Sequence, residues 1–191
     1  MPLQFSTARL TVTPLPHLAV ADSASPNLDR SGLENQDASR PNATHALLEQ
    51  LPQLLSPAVV QHLPAHFQHI HNSTQAAAWL NQMQAESHML TIQFSASQAL
   101  VGLLFIAEPE PNAAYIGYLL AEAYWRQGLA SELLQGLIET AQQHKQWHQL
   151  VGGVEADNLA SCRVLEKLGF KQQPAQGESL FYSFDLKANR P

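Results

Sequence analysis

Tyr124-Trp125-Arg126-Gln127-Gly128-Leu129-Ala130-Ser131-Glu132 stands between an apolar strand, Tyr115 to Leu120, and an amphipathic helix beginning near Ala130. A loop with a small residue at a strand-to-helix junction points several backbone N–H groups one way. The positive end of the helix macrodipole points with them, so the junction suits a phosphate or pyrophosphate. Gly128 can adopt φ > 0 and admit a ligand closely. Ala130 and Ser131 keep the first helical turn narrow, and Arg126 can add charge-assisted hydrogen bonds. Alone, such a loop reads first as an ordinary strand-to-helix turn, so its neighbours decide its meaning.

Working outward, the helix from Ala130 to about His144 carries Leu133, Leu134, Leu137, Ile138 and Ala141 on one face. Upstream, Met89 to Phe94 and Ala99 to Ala107 read as strands joined by a turn at Ser95 to Gln98. Pro109 to Asn112 forms a second turn before Tyr115. Downstream come a short strand, Gln149 to Glu155, and a helix, Leu159 to Leu168, stopped by Gly169. Leu180 to Leu186 closes the chain as a strand. Near the start, Phe5 to Pro14 alternates as one strand. Ala46 to Leu55 reads as a helix interrupted by Pro52, and Pro57 to Ile70 as another with Pro64 as kink or break. A helix from Gln75 to about Glu86 buries Trp79, Leu80 and Met83, with Ser73 or Thr74 as its N-cap. The order is an α/β (α+β) arrangement in which an antiparallel meander feeds a strand-helix-strand unit.

The 191 residues fit one domain, 1–191, with Asp22 to Thr44 as a flexible low-complexity insertion. A net charge of −6 with ten Lys and Arg disfavours a duplex nucleic-acid binder, which needs a cationic surface. It suits a cationic substrate such as an amine. The lone Cys162 permits no internal disulfide, and no run approaches the roughly 20 apolar residues of a membrane span. A soluble cytoplasmic protein is expected, and the Asn42-Ala43-Thr44 sequon is then chance.

The loop and a second segment, Asn158-Leu159-Ala160-Ser161-Cys162-Arg163-Val164-Leu165-Glu166-Lys167-Leu168-Gly169-Phe170, carry a family resemblance together. The first is similar to the pyrophosphate loop of the GNAT N-acetyltransferase superfamily. The second resembles that family's Asn-x-x-Ser/Ala followed by a helix ending Leu-Glu-Lys-x-Gly-Phe. Tyr124-Trp125, Ser161 and the opening Ser6-Thr7-Ala8-Arg9-Leu10-Thr11-Val12 resemble the RimJ/RimL branch, whose members acetylate N-terminal amines of ribosomal proteins and other amines. The likeness runs from about Leu100 to Phe170. It departs from the branch at Ala8, where Glu is common, and at Arg126, where Gly is frequent.

The resemblance implies a GNAT-like mixed, mostly antiparallel sheet flanked by helices, with a splayed strand pair binding acyl-CoA. Backbone N–H groups of Gln127, Gly128, Leu129, Ala130 and Ser131 would hold the pyrophosphate of acetyl-CoA, with Arg126 near the phosphates. Tyr118, Leu119 and Leu120 would offer backbone groups to the pantetheine arm, and Asn158 would contact that arm from the other side. Acetyl transfer needs a neutral amine, a polarised carbonyl and a stabilised thiolate. Leu165 occupies the position of the Tyr that serves as acid in many relatives, and the resemblance to the RimJ/RimL branch, where a matching Ser has the thiolate-side role, implies that role for Ser161. The base is Glu178, Glu155 or a water relay.

Plainer readings stand beside these. Ser161 is also an ordinary helix-start serine. Cys162 reads as a buried inert thiol. His62 and His66, spaced i, i+4, can share a helix face as metal ligands, but Pro64 lies between them, so no metal is expected. The expected activity is direct acetyl transfer from acetyl-CoA to a protein N-terminal or small-molecule amine, by a monomer or homodimer. A GNAT-like CoA-binding sensor or scaffold is the alternative.

Overall fold

The computed structural model describes residues 3–16, 40–174 and 179–187. Its strands are β1 (Phe5–Ser6), β2 (Leu10–Pro14), β3 (His88–Phe94), β4 (Leu100–Glu110), β5 (Ala113–Leu120), β6 (Gln149–Glu155), β7 (Lys171–Gln172) and β8 (Ser179–Asp185). They form one sheet in the order β1-β2-β3-β4-β5-β6-β8-β7. The β5–β6 pair is parallel, whereas the other neighbours are antiparallel. A parallel neighbour requires a crossover connection, which α4 (Leu129–His144) supplies.

Helices cover both faces. On one, α4 and α5 (Leu159–Lys167) pack over a core of Leu104, Ile106, Ala114, Ile116, Leu133, Leu137 and Leu165. On the other lie α1 (Arg40–Leu54), α2 (Pro57–Val60) and α3 (Ser73–Glu86), packed over Leu103, Phe105 and Leu119. Val101 to Ile106 of β4 are consequently all buried, the unbroken apolar run expected of a strand covered on both sides.

Several expectations change. Phe5 to Pro14 is a hairpin of two strands, because Thr7 Oγ1 accepts the Leu10 N–H at 3.0 Å and the Thr7 N–H donates to the Leu10 carbonyl at 2.8 Å. The first long helix starts at Arg40, so the end of the Asp22 to Thr44 stretch is helical; residues 17–39 lie outside the described residues. Pro57 to Ile70 is no single helix. It breaks into α2 and a 3-10 turn at Ala65–Phe67, since Pro64 has no N–H to continue the ladder. Asn72, not Ser73 or Thr74, caps α3: its Oδ1 accepts the Gln75 N–H at 2.9 Å, and Gln75 Oε1 accepts the His71 N–H at 2.8 Å. β4 runs through Pro109 to Glu110, where a register shift after Ala107 spares Pro109 a ladder bond.

Candidate active site

The β5–β6 ladder pairs Ala113 with Gln149 through Ile116 with Gly152 and then stops. Beyond it β5 stays with β4 as far as Leu120, and β6 stays with β8 as far as Glu155. The two strands part, leaving backbone groups of Gly117–Leu120 and Gly153–Glu155 unshared across a wedge. Leu165 sits at its apex. A methyl on Gly152, the last paired residue, would lie 3.3 Å from Leu165 Cδ1. On the β4 side, Gly102 allows the Leu119 carbonyl to approach where a Cβ would stand 2.0 Å from it.

From Leu120 the chain makes a 3-10 turn, Glu122–Tyr124, and enters the loop. Tyr124 packs edge-on against Phe94 with ring centres 5.1 Å apart, and Trp125 Nε1 donates to the Leu120 carbonyl at 2.8 Å. Arg126 and Gly128 both take left-handed backbone, with φ of 60° and 77°. Gly128 is the N-cap of α4 without any side-chain cap, and the Glu132 N–H makes a helical bond back to Gly128 at 3.1 Å. The N–H groups of Leu129, Ala130 and Ser131 precede that bond, so the helix gives them no acceptor of its own. They converge where an anion would sit, which fits a pyrophosphate.

The loop is braced from the other end of the chain. The Arg9 Nη2 group donates to the Gln127 carbonyl at 3.1 Å, while Nε donates to Glu132 Oε2 at 2.7 Å. Glu132 Oε1 accepts from the Arg9 N–H at 2.7 Å and from Thr7 Oγ1 at 2.6 Å. Burial pushes the Glu132 carboxyl upward, but the bonds from Thr7 and Arg9 and the guanidinium charge outweigh it and hold the group below its ordinary range. A carboxylate at a helix N-terminus complements the dipole. Arg9 cancels its charge, so an incoming phosphate does not meet an unpaired anion.

Across the wedge, Asn158 Oδ1 accepts the Ser161 N–H at 3.1 Å and caps α5. The Tyr118 hydroxyl donates to Ser161 Oγ at 3.5 Å. Burial raises the Tyr118 pKa; Ser161 lowers it and Cys162 raises it further, with a net upward shift that keeps the phenol protonated and able to donate. Cys162 is buried, and behind it the Tyr182 hydroxyl donates to Glu166 Oε1 at 3.2 Å. The Tyr182 phenol is also raised, by burial first and then by Cys162 and Glu166.

The sequence-derived candidates divide by what they present. Leu119, Leu120 and Leu129 bury their side chains, so they can offer a ligand only backbone groups. Gln127 is exposed beside Arg126, and Ala130 and Ser131 line the first turn of α4 half-buried. Glu155 ends β6, and its carbonyl accepts the Asn158 N–H at 2.9 Å. Glu178 lies outside the described residues. Arg9 and Glu132 were not singled out from the sequence as site residues; the one signal for Arg9 was its place in the Thr-x-Arg-Leu resemblance. His62 and His66 do not share a helix face. His62 Nδ1 lies 3.0 Å from Asp157 Oδ1, and His66 packs on Phe67. Among the described residues, no three His, Cys, Asp or Glu side chains gather as metal ligands. A cavity of about 290 Å³ lined by Leu15, Met89, Ile106 and Trp147 lies at the far end of the sheet from the loop.

An acetyltransferase (GNAT) domain family model matches residues 40–171. The chain belongs to this family. A probable N-acetyltransferase of Bacillus subtilis (strain 168), YjcK, is 34% identical over 73 residues, which are 38% of this chain and 40% of that protein. The match thus spans under half of that curated relative. Among solved structures, a GNAT-family acetyltransferase from Bacillus anthracis superposes with a TM-score of 0.70 at 14% identity, covering 97% of this chain and 99% of that one. RimL, a ribosomal alpha-N-protein acetyltransferase solved in complex with coenzyme A, gives a TM-score of 0.64 at 20% identity over 96% and 97% of the two chains. These likenesses establish a GNAT fold. No helix among the described residues is long and apolar enough to cross a membrane.

Proposed function

We propose that this protein is an acetyl-CoA-dependent N-acetyltransferase of RimJ/RimL type, acting on a primary amine of a protein N-terminus or a small molecule. The observation that carries this reading is the parting of β5 and β6 after Ile116 and Gly152. It leaves a wedge with the α4 N-terminus at one lip and Ser161 at the other. In this reading the N–H groups of 128–131 and the Arg126 guanidinium hold the pyrophosphate. The unshared backbone of Gly117–Leu120 lies along the pantetheine arm and orients the thioester carbonyl. Asn158 has committed its Oδ1 to the cap, so its amide nitrogen is the group it can turn toward that arm.

Acceptor amine and thioester then meet in the wedge, an arrangement that replaces a bimolecular encounter by a positioned one. The amine nitrogen bonds to the carbonyl carbon, the C–S bond breaks, and the electron pair leaves on sulfur. Leu165 cannot supply a proton there. Ser161 can, and the Tyr118 phenol donating to Ser161 Oγ leaves the serine's own hydrogen free to point at sulfur.

Leu165 in place of a tyrosine also favours a second reading, a domain that binds CoA without turnover. Thiol release from acetyl-CoA across a panel of amines and N-terminal peptides separates the two. Release with at least one acceptor is expected. Tight CoA binding without release for any acceptor overturns the enzyme reading.

A further inference from the structure

We infer that His62, held by Asp157, is the general base that deprotonates the incoming amine; this rests on the acetyltransfer reading above. An amine in water at neutral pH is largely an ammonium ion, and it must lose a proton before its lone pair can attack. His62 lies two residues past the end of α2, where Val59 and Val60 are sunk in the core and Leu63 packs beside them, so apolar neighbours anchor its backbone on both sides. α2 belongs to the helical layer on one face of the sheet. Asp157 belongs to the turn that leads from β6 into α5 on the other face. The 3.0 Å contact of His62 Nδ1 with Asp157 Oδ1 therefore spans the end of the sheet where β5 and β6 part. Asp157 is adjacent to Asn158, whose side chain caps the helical turn bearing Ser161. One hydrogen bond thus ties the imidazole to the neck of the segment carrying the thiolate-side serine.

The ring's two nitrogens have different partners, which is what a base requires. With Asp157 accepting from Nδ1–H, Nε2 holds the lone pair. Gln61 Nε2 lies 2.8 Å from it and donates an N–H. An amine N–H can take that place when Gln61, an exposed side chain, withdraws. A carboxylate that orients a histidine tautomer and stabilises the imidazolium is the arrangement of base and orienter in many group-transfer sites. His66 instead packs its ring on Phe67, and the rings of His69 and His71 meet edge-on with centres 6.2 Å apart.

The protons balance. The ammonium gives one proton to His62 Nε2, and the neutral amine attacks the thioester carbon. The C–S bond breaks with its electron pair on sulfur, and the second N–H proton ends on the thiol, relayed by Ser161. His62, whose side chain is 27% exposed, then releases its proton to water.

The test compares His62→Gln, His62→Ala and Asp157→Asn in the full chain, using an amine that the wild type acetylates. His62→Gln keeps a donor for Asp157 but has no basic nitrogen, so a mere latch between the layers would survive it. The expectation is a fall in kcat of about 100-fold in both His62 variants, with the KM for acetyl-CoA held within about twofold. Asp157→Asn lowers kcat by less. Added imidazole raises the rate of His62→Ala and does nothing for Ser161→Ala. Wild-type kcat in His62→Gln, or no rescue of His62→Ala by imidazole, overturns the inference while leaving acetyltransfer intact. Failure of the wild type to acetylate any amine overturns both.

Discussion

Arg9 and Glu132, 123 residues apart in sequence, meet through a 2.7 Å bond between guanidinium Nε and carboxylate Oε2. The same guanidinium reaches the Gln127 carbonyl. The hairpin at the start of the chain and the first turn of α4 are thereby a single unit, with the loop fixed between them. The chemistry of that loop is local, but its shape depends on a residue from the β1–β2 hairpin at one edge of the sheet.

Glu132→Gln is expected to lower stability at neutral pH by about 1–2 kcal/mol, since charge-assisted bonds from Thr7 and Arg9 become neutral ones. The Glu132 pKa is depressed in the folded state, so the unfolded chain binds more protons as pH falls through the carboxylate range. The wild-type advantage is therefore full above the ordinary value of 4.5 and is lost as pH falls through the lower folded value. Melting temperatures of both proteins between pH 7 and 3 (roughly the span over which carboxylates titrate) should converge at the acid end. A constant gap would show that the carboxylate charge is irrelevant.

Arg126 has φ = 60°, a conformation that costs a non-glycine residue about 1 kcal/mol or more. Arg126→Gly should raise the melting temperature while removing the guanidinium. The KM for acetyl-CoA should rise about tenfold with kcat retained, the signature of lost ground-state binding. Calorimetry of the melt and steady-state kinetics check the two halves separately. An unchanged KM would take Arg126 out of phosphate binding.

Ser161→Ala is expected to reduce kcat by about 100-fold with little change in acetyl-CoA affinity. Tyr118→Phe, which removes one neutral hydrogen bond, should cost roughly fivefold. Because Tyr118 acts through Ser161, the double variant should be no slower than Ser161→Ala alone. Independent losses that multiply would place Tyr118 on a different path.

Leu165→Tyr tests whether the missing phenol can simply be restored. Leu165 is 1% exposed and packs on Gly152 at the apex of the wedge. A larger, polar ring there should destabilise the fold by about 1–3 kcal/mol and leave kcat no higher. A faster enzyme of wild-type stability would mean that the apex has room and that the wedge opens more than its pairing indicates.

Much of the architecture was legible because it is written in local patterns. The apolar stripe of α4, the Gly169 stop of α5 at φ = 89° and the β3–β4–β5 meander all follow from periodicity and turn residues. The splay followed from the family resemblance, and the pairing pattern now displays it. Less was legible where distant partners or breaks in periodicity decide. The bend at Thr7–Arg9 turns one expected strand into two because its polar groups are engaged by Glu132. The two-residue β7 is too short to carry a period at all.

For the site, the sequence by itself singled out the loop ahead of α4 and the Asn158–Ser161 turn as candidates, and their roles toward a cofactor belong to the proposal above. Gly128 and Asn158 bond to residues within a few positions of themselves, and short-range geometry is a property of the local chain. Only the tertiary structure decided that Arg9 braces the loop, that Tyr118 reaches Ser161, and that His62 meets Asp157. Those pairs lie on different elements of one sheet and its two covering layers. Their distances are set by how the layers pack over β4 and β5, which no local spacing encodes.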